Sequence, residues 1–257
     1  MPAKAVRELL SHNNNDPTHR RGILTNYETA LPAEEAMEIK GFLIAVMLLF
    51  VSAASVWAYK KAPFAKSLRK LAGQGDADAQ SRLGYMYYQG QGVPQDYAAA
   101  LKWYRLAADQ GNAEAQFDLA FMYYEGLGVL QDSAAALKWY RLAAAQGDAK
   151  AQFNVGLMYY EGLGVPQDYA EALKWYRLAA AQGYARAQYS LGYMYANGEG
   201  VPQDHVQAHK WLTLATITFT DKPERDEAIK ARNSVAAQMT PAQIAEAQKL
   251  AREWKRQ

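Results

Sequence analysis

Two histidines one helical turn apart, His205 and His209 in "HVQAH", would bring both imidazoles to one helix face, a spacing that can hold a metal ion. The stretch lacks the glutamate of HExxH, and no acidic residue or cysteine completes a ligand set. Thirty-six residues upstream the same positions are Tyr169 and Leu173, so the pair reads as packing residues, and no metal site is expected. "GQGVPQ" and its copies are glycine-rich, as phosphate loops are. They follow a helical pattern instead of a strand and lack the Lys-Ser/Thr pair, which excludes a nucleotide loop. Lys102, Lys138, Lys174 and Lys210, with Arg105, Arg141 and Arg177 three residues on, read as a solvated outer ridge. With 28 basic and 26 acidic residues interspersed to a net charge of +2, the chain has no clustered basic footprint for nucleic acid. There are no cysteines, hence no thiolate chemistry or disulfides. No nucleophile, base and orienting group fall together, so neither catalysis nor a cofactor is expected.

What positions these residues is a repeat. Glycines at 75, 111, 147 and 183 stand 36 residues apart, and each opens a unit: 75–110, 111–146, 147–182 and 183–218. A fixed period of this length marks a solenoid. In the second unit, "GNAEAQFDLAFMYYEGLGVLQDSAAALKWYRLAAAQ", apolar residues recur at helical spacing in two blocks around "EGLGVLQD", so each unit is a helix, a loop and a helix. Asp76, Asn112 and Asp148 can cap the first helix, and Asp96, Asp132, Asp168 and Asp204 the second. Gly111, Gly147 and Gly183 suit a helix end with positive φ. The loop pairs Gly90/Gly92, Gly126/Gly128, Gly162/Gly164 and Gly198/Gly200 suit a tight reversal.

These residues carry a resemblance. "AxAQxxLGxMYxxGxGVPQDxxxAxKW…AA…G" across 75–218 is similar to the Sel-1-like repeat, a relative of the tetratricopeptide repeat. "MTPAQIAEAQKLAREW" resembles the helical end cap of bacterial members. The resemblance implies an all-α, right-handed α/α solenoid of four 36-residue repeats with helical caps. It also implies a scaffold for protein–protein contacts, often in the bacterial envelope. Some relatives are associated with exopolysaccharide export, which leaves a glycan-binding module as an alternative. A hydrolase, proposed for cysteine-rich relatives, is a weaker one because this chain has no cysteine.

Comparison of the four units separates packing from recognition. Met86, Tyr87, Val93, Ala100 and Trp103 recur identically 36, 72 and 108 positions on. Trp103, Trp139, Trp175 and Trp211 are expected to wedge between units, where truncation to alanine would cost about 3–5 kcal/mol. On the first helix the fourth, seventh, eighth, eleventh and fifteenth positions vary most and form one stripe. The seventh is Ser81, Phe117, Phe153 or Tyr189. The others include Arg82, Tyr85 and Gln89; Asp118, Phe121 and Glu125; Asn154, Leu157 and Glu161; Ser190, Tyr193 and Asn197. In a tetratricopeptide-like superhelix this face lines the concave groove, and rings mixed with polar groups suit a protein or peptide partner. The alternative is that the seventh-position ring packs against the neighbouring unit and only the eighth and eleventh face solvent.

The ends differ from the repeats. Residues 42–59, "FLIAVMLLFVSAASVWAY", carry no charge and lie between Lys40 and the pair Lys60 and Lys61. With the preceding residues they form a signal peptide or membrane anchor over 37–58, behind a leader or misassigned start over 1–36. An exported or inner-membrane-anchored protein is expected, its membrane contact confined to this segment. Lys60, Lys61, Lys66, Arg69 and Lys70 keep open the alternative of an anchor holding the repeats on the cytoplasmic side. A degenerate leading helix is expected in 59–74 and a helical cap in 219–257, where Thr240, Pro241 and Gln243 form a capping box.

Overall fold

The computed structural model describes residues 66–254; the expected leader and the signal or anchor segment over 37–58 lie outside the described residues. A helix over 66–73 (α1) precedes four helical pairs: α2 Ala77–Gln89 and α3 Tyr97–Asp109, α4 Ala113–Glu125 and α5 Ser133–Ala145, α6 Ala149–Glu161 and α7 Tyr169–Ala181, α8 Ala185–Asn197 and α9 His205–Thr218. Two closing helices follow, α10 Lys222–Ala236 and α11 Pro241–Trp254. Among the described residues there is no strand, and no helix is long and apolar enough to cross a membrane. Each second helix packs on its partner and on the first helix of the next pair, so one core runs from α3 to α11, with smaller clusters between α1 and α2 and around Phe219.

Side-chain caps start the helices. Asp76, Asn112 and Asp148 accept from the backbone N–H three residues on at 2.7, 2.8 and 2.6 Å, and Asp96, Asp132, Asp168 and Asp204 do the same for the second helices. Only α8 among the repeat helices starts without one, behind Tyr184. At α11 the capping box is closed: Thr240 N–H donates to Gln243 Oε1 at 2.8 Å, and Gln243 N–H to Thr240 Oγ1 at 3.3 Å.

The second glycine of the last three loops does more than turn the chain. A Cβ on Gly128 would stand 2.6 Å from the backbone carbon of Tyr97, and one on Gly164 or Gly200 would lie 2.5 Å from that of Ser133 or Tyr169. The loop of one unit thus rests directly on the second-helix start of the unit before.

Burial corrects the expected role of the tryptophans. Trp139 and Trp211 are buried, but Trp103 and Trp175 are only partly so. The ring enclosed in three units is the next residue, Tyr104, Tyr140 or Tyr176, with Leu212 in the fourth. These side chains lie over the small residue at the tenth position: a Cβ on Gly84 or Gly156 would approach the tyrosine ring to 2.7 Å. Ala120 fills that place in the second unit, so a small shift of the ring accommodates one methyl.

The basic ridge is also a correction, because it joins units as well as meeting solvent. Arg177 Nη2 donates to the Tyr195 hydroxyl at 2.6 Å, Arg141 Nη2 donates to that of Tyr159, and Arg105 stands 5.5 Å from the Tyr123 ring centre. Lys210 at the end of the row lies 4.5 and 4.7 Å from the rings of Trp211 and Trp254, tying the cap to the last repeat. Burial holds its ammonium below the ordinary lysine range.

A row of buried glutamines stitches the stack. Gln116 and Gln152 donate to the carbonyls of Ala108 and Ala144 in the unit before, at 3.1 and 3.2 Å, and accept from Gln146 and Gln182 at 2.8 Å. Gln188 keeps the first bond, but its Oε1 has no partner, because residue 218 is Thr where the other units place Gln. Gln152→Ala is expected to cost about 1–2 kcal/mol, leaving a carbonyl and an amide unmatched. Gln188→Ala should cost less, since one of its bonds is already missing. Urea midpoints of the two variants check the order.

Candidate functional site

The variable stripe of the first helices carries two open-sided pockets. The larger, about 360 Å³, has walls from Tyr85, Tyr88, Phe117 and Phe121 and a floor from Asp118 and Tyr104. Lys150, Asn154, Tyr184 and Arg186 close its far side. The smaller, about 200 Å³, is built from Leu157, Tyr160, Tyr176, Tyr189, Ser190 and Tyr193, with Glu161 and Met194 at its edge. The six principal residues of each correspond one to one at a separation of 72, which is two repeats. The pockets are therefore one design used twice, with a different polar group on the floor.

That polar group is the eighth residue of a unit, and it meets the buried tyrosine of the unit before. Asp118 shares the larger pocket with Tyr104 and Ser190 the smaller one with Tyr176, and Asn154 stands in the same relation to Tyr140. Burial raises all three tyrosines above the ordinary phenol range, so each hydroxyl stays a neutral donor. Burial also pushes the Asp118 carboxyl up to about 6. Hydrogen bonding from Tyr104 and the charge of Lys150 draw it down, while Glu114 and Asp148 raise it.

The walls hold one another. Tyr88 and Phe121 meet edge to face, centres 6.5 Å apart at 75°, and Tyr88 packs on Tyr97 at 5.6 Å. In the second pocket Tyr160 packs on Tyr169 at 5.1 Å and donates from its hydroxyl to Glu199 Oε2 at 2.9 Å. Tyr85 and Tyr193 remain nearly half exposed, at 46% and 48%.

Of the twelve residues read from the sequence, Tyr85, Asp118, Phe121 and Asn154 meet in the larger pocket, and Leu157, Glu161, Ser190 and Tyr193 in the smaller. Arg82, Gln89, Glu125 and Asn197 are exposed and line neither. The seventh position divides: Phe117 and Tyr189 each line a pocket, while Phe153 lines neither and packs on Tyr176 of its own unit at 5.5 Å and on Tyr184 of the next at 5.2 Å. Tyr88, Tyr160 and Tyr184 line the pockets without having stood out in the sequence, whereas Lys150 and Arg186 hold the fourth position of the variable stripe. Tyr88 and Tyr160 recur as Tyr124 and so read as packing residues. The histidines lie apart from the pockets. His209 is buried with Nδ1 3.3 Å from Thr213 Oγ1, and burial and Arg232 hold its imidazole below the usual range.

Four consecutive stretches, 77–112, 113–148, 149–184 and 185–216, match the family described as Sel1 repeat. Among solved structures, a protective antigen of uropathogenic Escherichia coli with an SLR fold is 44% identical over 60% of this chain, with a TM-score of 0.59. This chain spans about a third of that protein, 33% of its length. A Sel1 repeat protein from Oxalobacter formigenes is 31% identical, covering 74% of this chain and 86% of its own, with a TM-score of 0.59. No curated protein matches the chain significantly.

Proposed function

The chain belongs to the Sel1 repeat family, and on that premise we propose that it is a non-enzymatic scaffold holding a partner polypeptide along the groove of its first helices. Proteins of this family are in general protein–protein interaction scaffolds. The observation that carries the reading is the repetition of one aromatic pocket two units apart, each with a half-exposed tyrosine available to a ligand. Rigid rings give contact area at little entropic cost, and a polar floor that changes from Asp118 to Asn154 to Ser190 distinguishes side chains along one strand of partner.

Selection of a random peptide library on the immobilised full-length chain tests this. Binders are expected, with Tyr85→Ala and Tyr193→Ala each weakening them about tenfold, as loss of an exposed aromatic anchor does. Both rings are exposed enough for the variants to keep their helical circular dichroism. Failure to select any peptide overturns the reading. A second reading, a glycan module, is supported by the density of tyrosine around Ser190 in the smaller pocket, where rings can stack on sugars; binding to a glycan panel with no peptide selected would favour it.

We further propose that the protein works in the bacterial envelope, periplasmic or tethered to the inner membrane, on the strength of the uncharged stretch over 42–59. Fractionation of cells producing the tagged chain checks this, and recovery in the soluble cytoplasm would reject it.

A further inference from the structure

Resting on the groove reading above, we propose that the pocket floored by Asp118 receives a basic side chain, lysine or arginine, of the bound polypeptide. Asp118 stands beside a buried tyrosine, and in the next two units that place is taken by neutral groups, Asn154 and Ser190. A carboxylate in the same place carries a charge that those units do without and that burial disfavours. Among the described residues, Asp118 makes no ion pair to offset it.

The surroundings leave that charge available to a ligand. Glu114 and Asp148 add negative potential around it, and Lys150 opposes them. Arg186, across the pocket, is engaged by Glu224 through Nη2 at 2.6 Å and Nε at 3.0 Å. Tyr85, Tyr88 and Phe121 complete the walls, and the last two stand at 75° to each other, so their ring faces point in different directions. A carboxylate at the base of aromatic walls suits an ammonium or guanidinium on an apolar stem: the rings cover the methylenes and attract the cation, and the carboxylate pairs with it away from bulk water. The equivalent pocket two repeats on is an internal contrast. It has a hydroxyl, Ser190, in place of Asp118 and Leu157 in place of Tyr85, so it lacks one ring, and its carboxylate, Glu161, is exposed where Asp118 is half-buried.

Peptides selected on the full-length chain provide the test. A lysine or arginine should recur at one fixed position, and replacing it with norleucine should weaken binding about tenfold, the scale of a partly desolvated cation in such a site. Asp118→Asn places beside Tyr104 the residue that Asn154 places beside Tyr140, and should erase the difference between the lysine and norleucine peptides. Lys150→Gln removes the competing cation and should tighten the lysine peptide several-fold. Binders without a recurrent basic residue, an unchanged lysine-to-norleucine ratio in Asp118→Asn, or weaker binding in Lys150→Gln would each overturn the assignment while leaving the groove reading intact. If no peptide is selected at all, the groove reading fails and this assignment fails with it.

Discussion

Gly128→Ala is expected to lower folding stability by about 4 kcal/mol, while the same change at Gly92 costs about 1 kcal/mol. Both glycines have positive φ, 68° and 74°, so both alanines incur the left-handed penalty of about 1–2 kcal/mol. They differ in what the new methyl meets. At Gly92 the nearest atom is Met86 Cε at 3.4 Å, the end of a flexible side chain. At Gly128 it is backbone, with the Tyr97 carbon at 2.6 Å, its oxygen at 2.7 Å and Ala98 N at 2.9 Å. That backbone belongs to the start of α3, held by the Asp96 cap, so the clash can be relieved only by separating two repeats. Repeats contact only their neighbours, so the damage falls on one junction of the stack. Urea denaturation followed by circular dichroism checks the pair; equal shifts in midpoint would show that the loops do not bear on the preceding unit.

The difference between those glycines marks where the sequence stopped being readable. Period, hairpins, caps and closing helices are local or repeated features, and each has its own residue signal, such as Asp76 three residues before the N–H it receives. The approach of Gly128 to Tyr97 spans two units, and nothing in a loop motif shows which glycine faces backbone. The tryptophans misled for a related reason. Identity between copies shows that a position is constrained, but not that it is the most enclosed; Trp139 and Trp211 owe their cover to neighbours such as Arg105 and Trp254, while the enclosed ring is the tyrosine that gives way to Leu212 in the last unit. That replacement was itself a legible signal. Tyrosine stands at 104, 140 and 176, where a polar eighth residue follows in the next unit, and is absent at 212, where no further repeat supplies one. Pairing those columns across neighbouring units, instead of reading each unit alone, leads to the floor of the pockets. Tyr88 and Tyr160 stayed hidden because a residue kept for packing can also present an edge to a ligand.

Asp118→Asn is expected to stabilise the unliganded protein by about 2–3 kcal/mol at pH 7.5 and to have little effect at pH 4. The sign follows from the carboxyl lying near 6 in the folded chain against 3.8 for an unperturbed aspartate. The folded state then holds the proton more tightly than the unfolded state. Its contribution to stability is complete below about 4 and is lost as pH rises through about 6. A shift of two units corresponds to about 3 kcal/mol, and solvent at the open side of the pocket reduces it. Asparagine does not titrate, so its stability curve should lack this slope. The groups that act on the carboxyl are Tyr104, Glu114, Lys150 and Asp148. Urea midpoints of both proteins between pH 4 and 7.5 decide it, and parallel curves would remove the buried charge from the account. A selected lysine peptide should narrow the gap at pH 7.5 by stabilising the wild type alone. A carboxylate that weakens the empty protein and strengthens the occupied one is costly as structure, and it becomes favourable only when a cation sits above it.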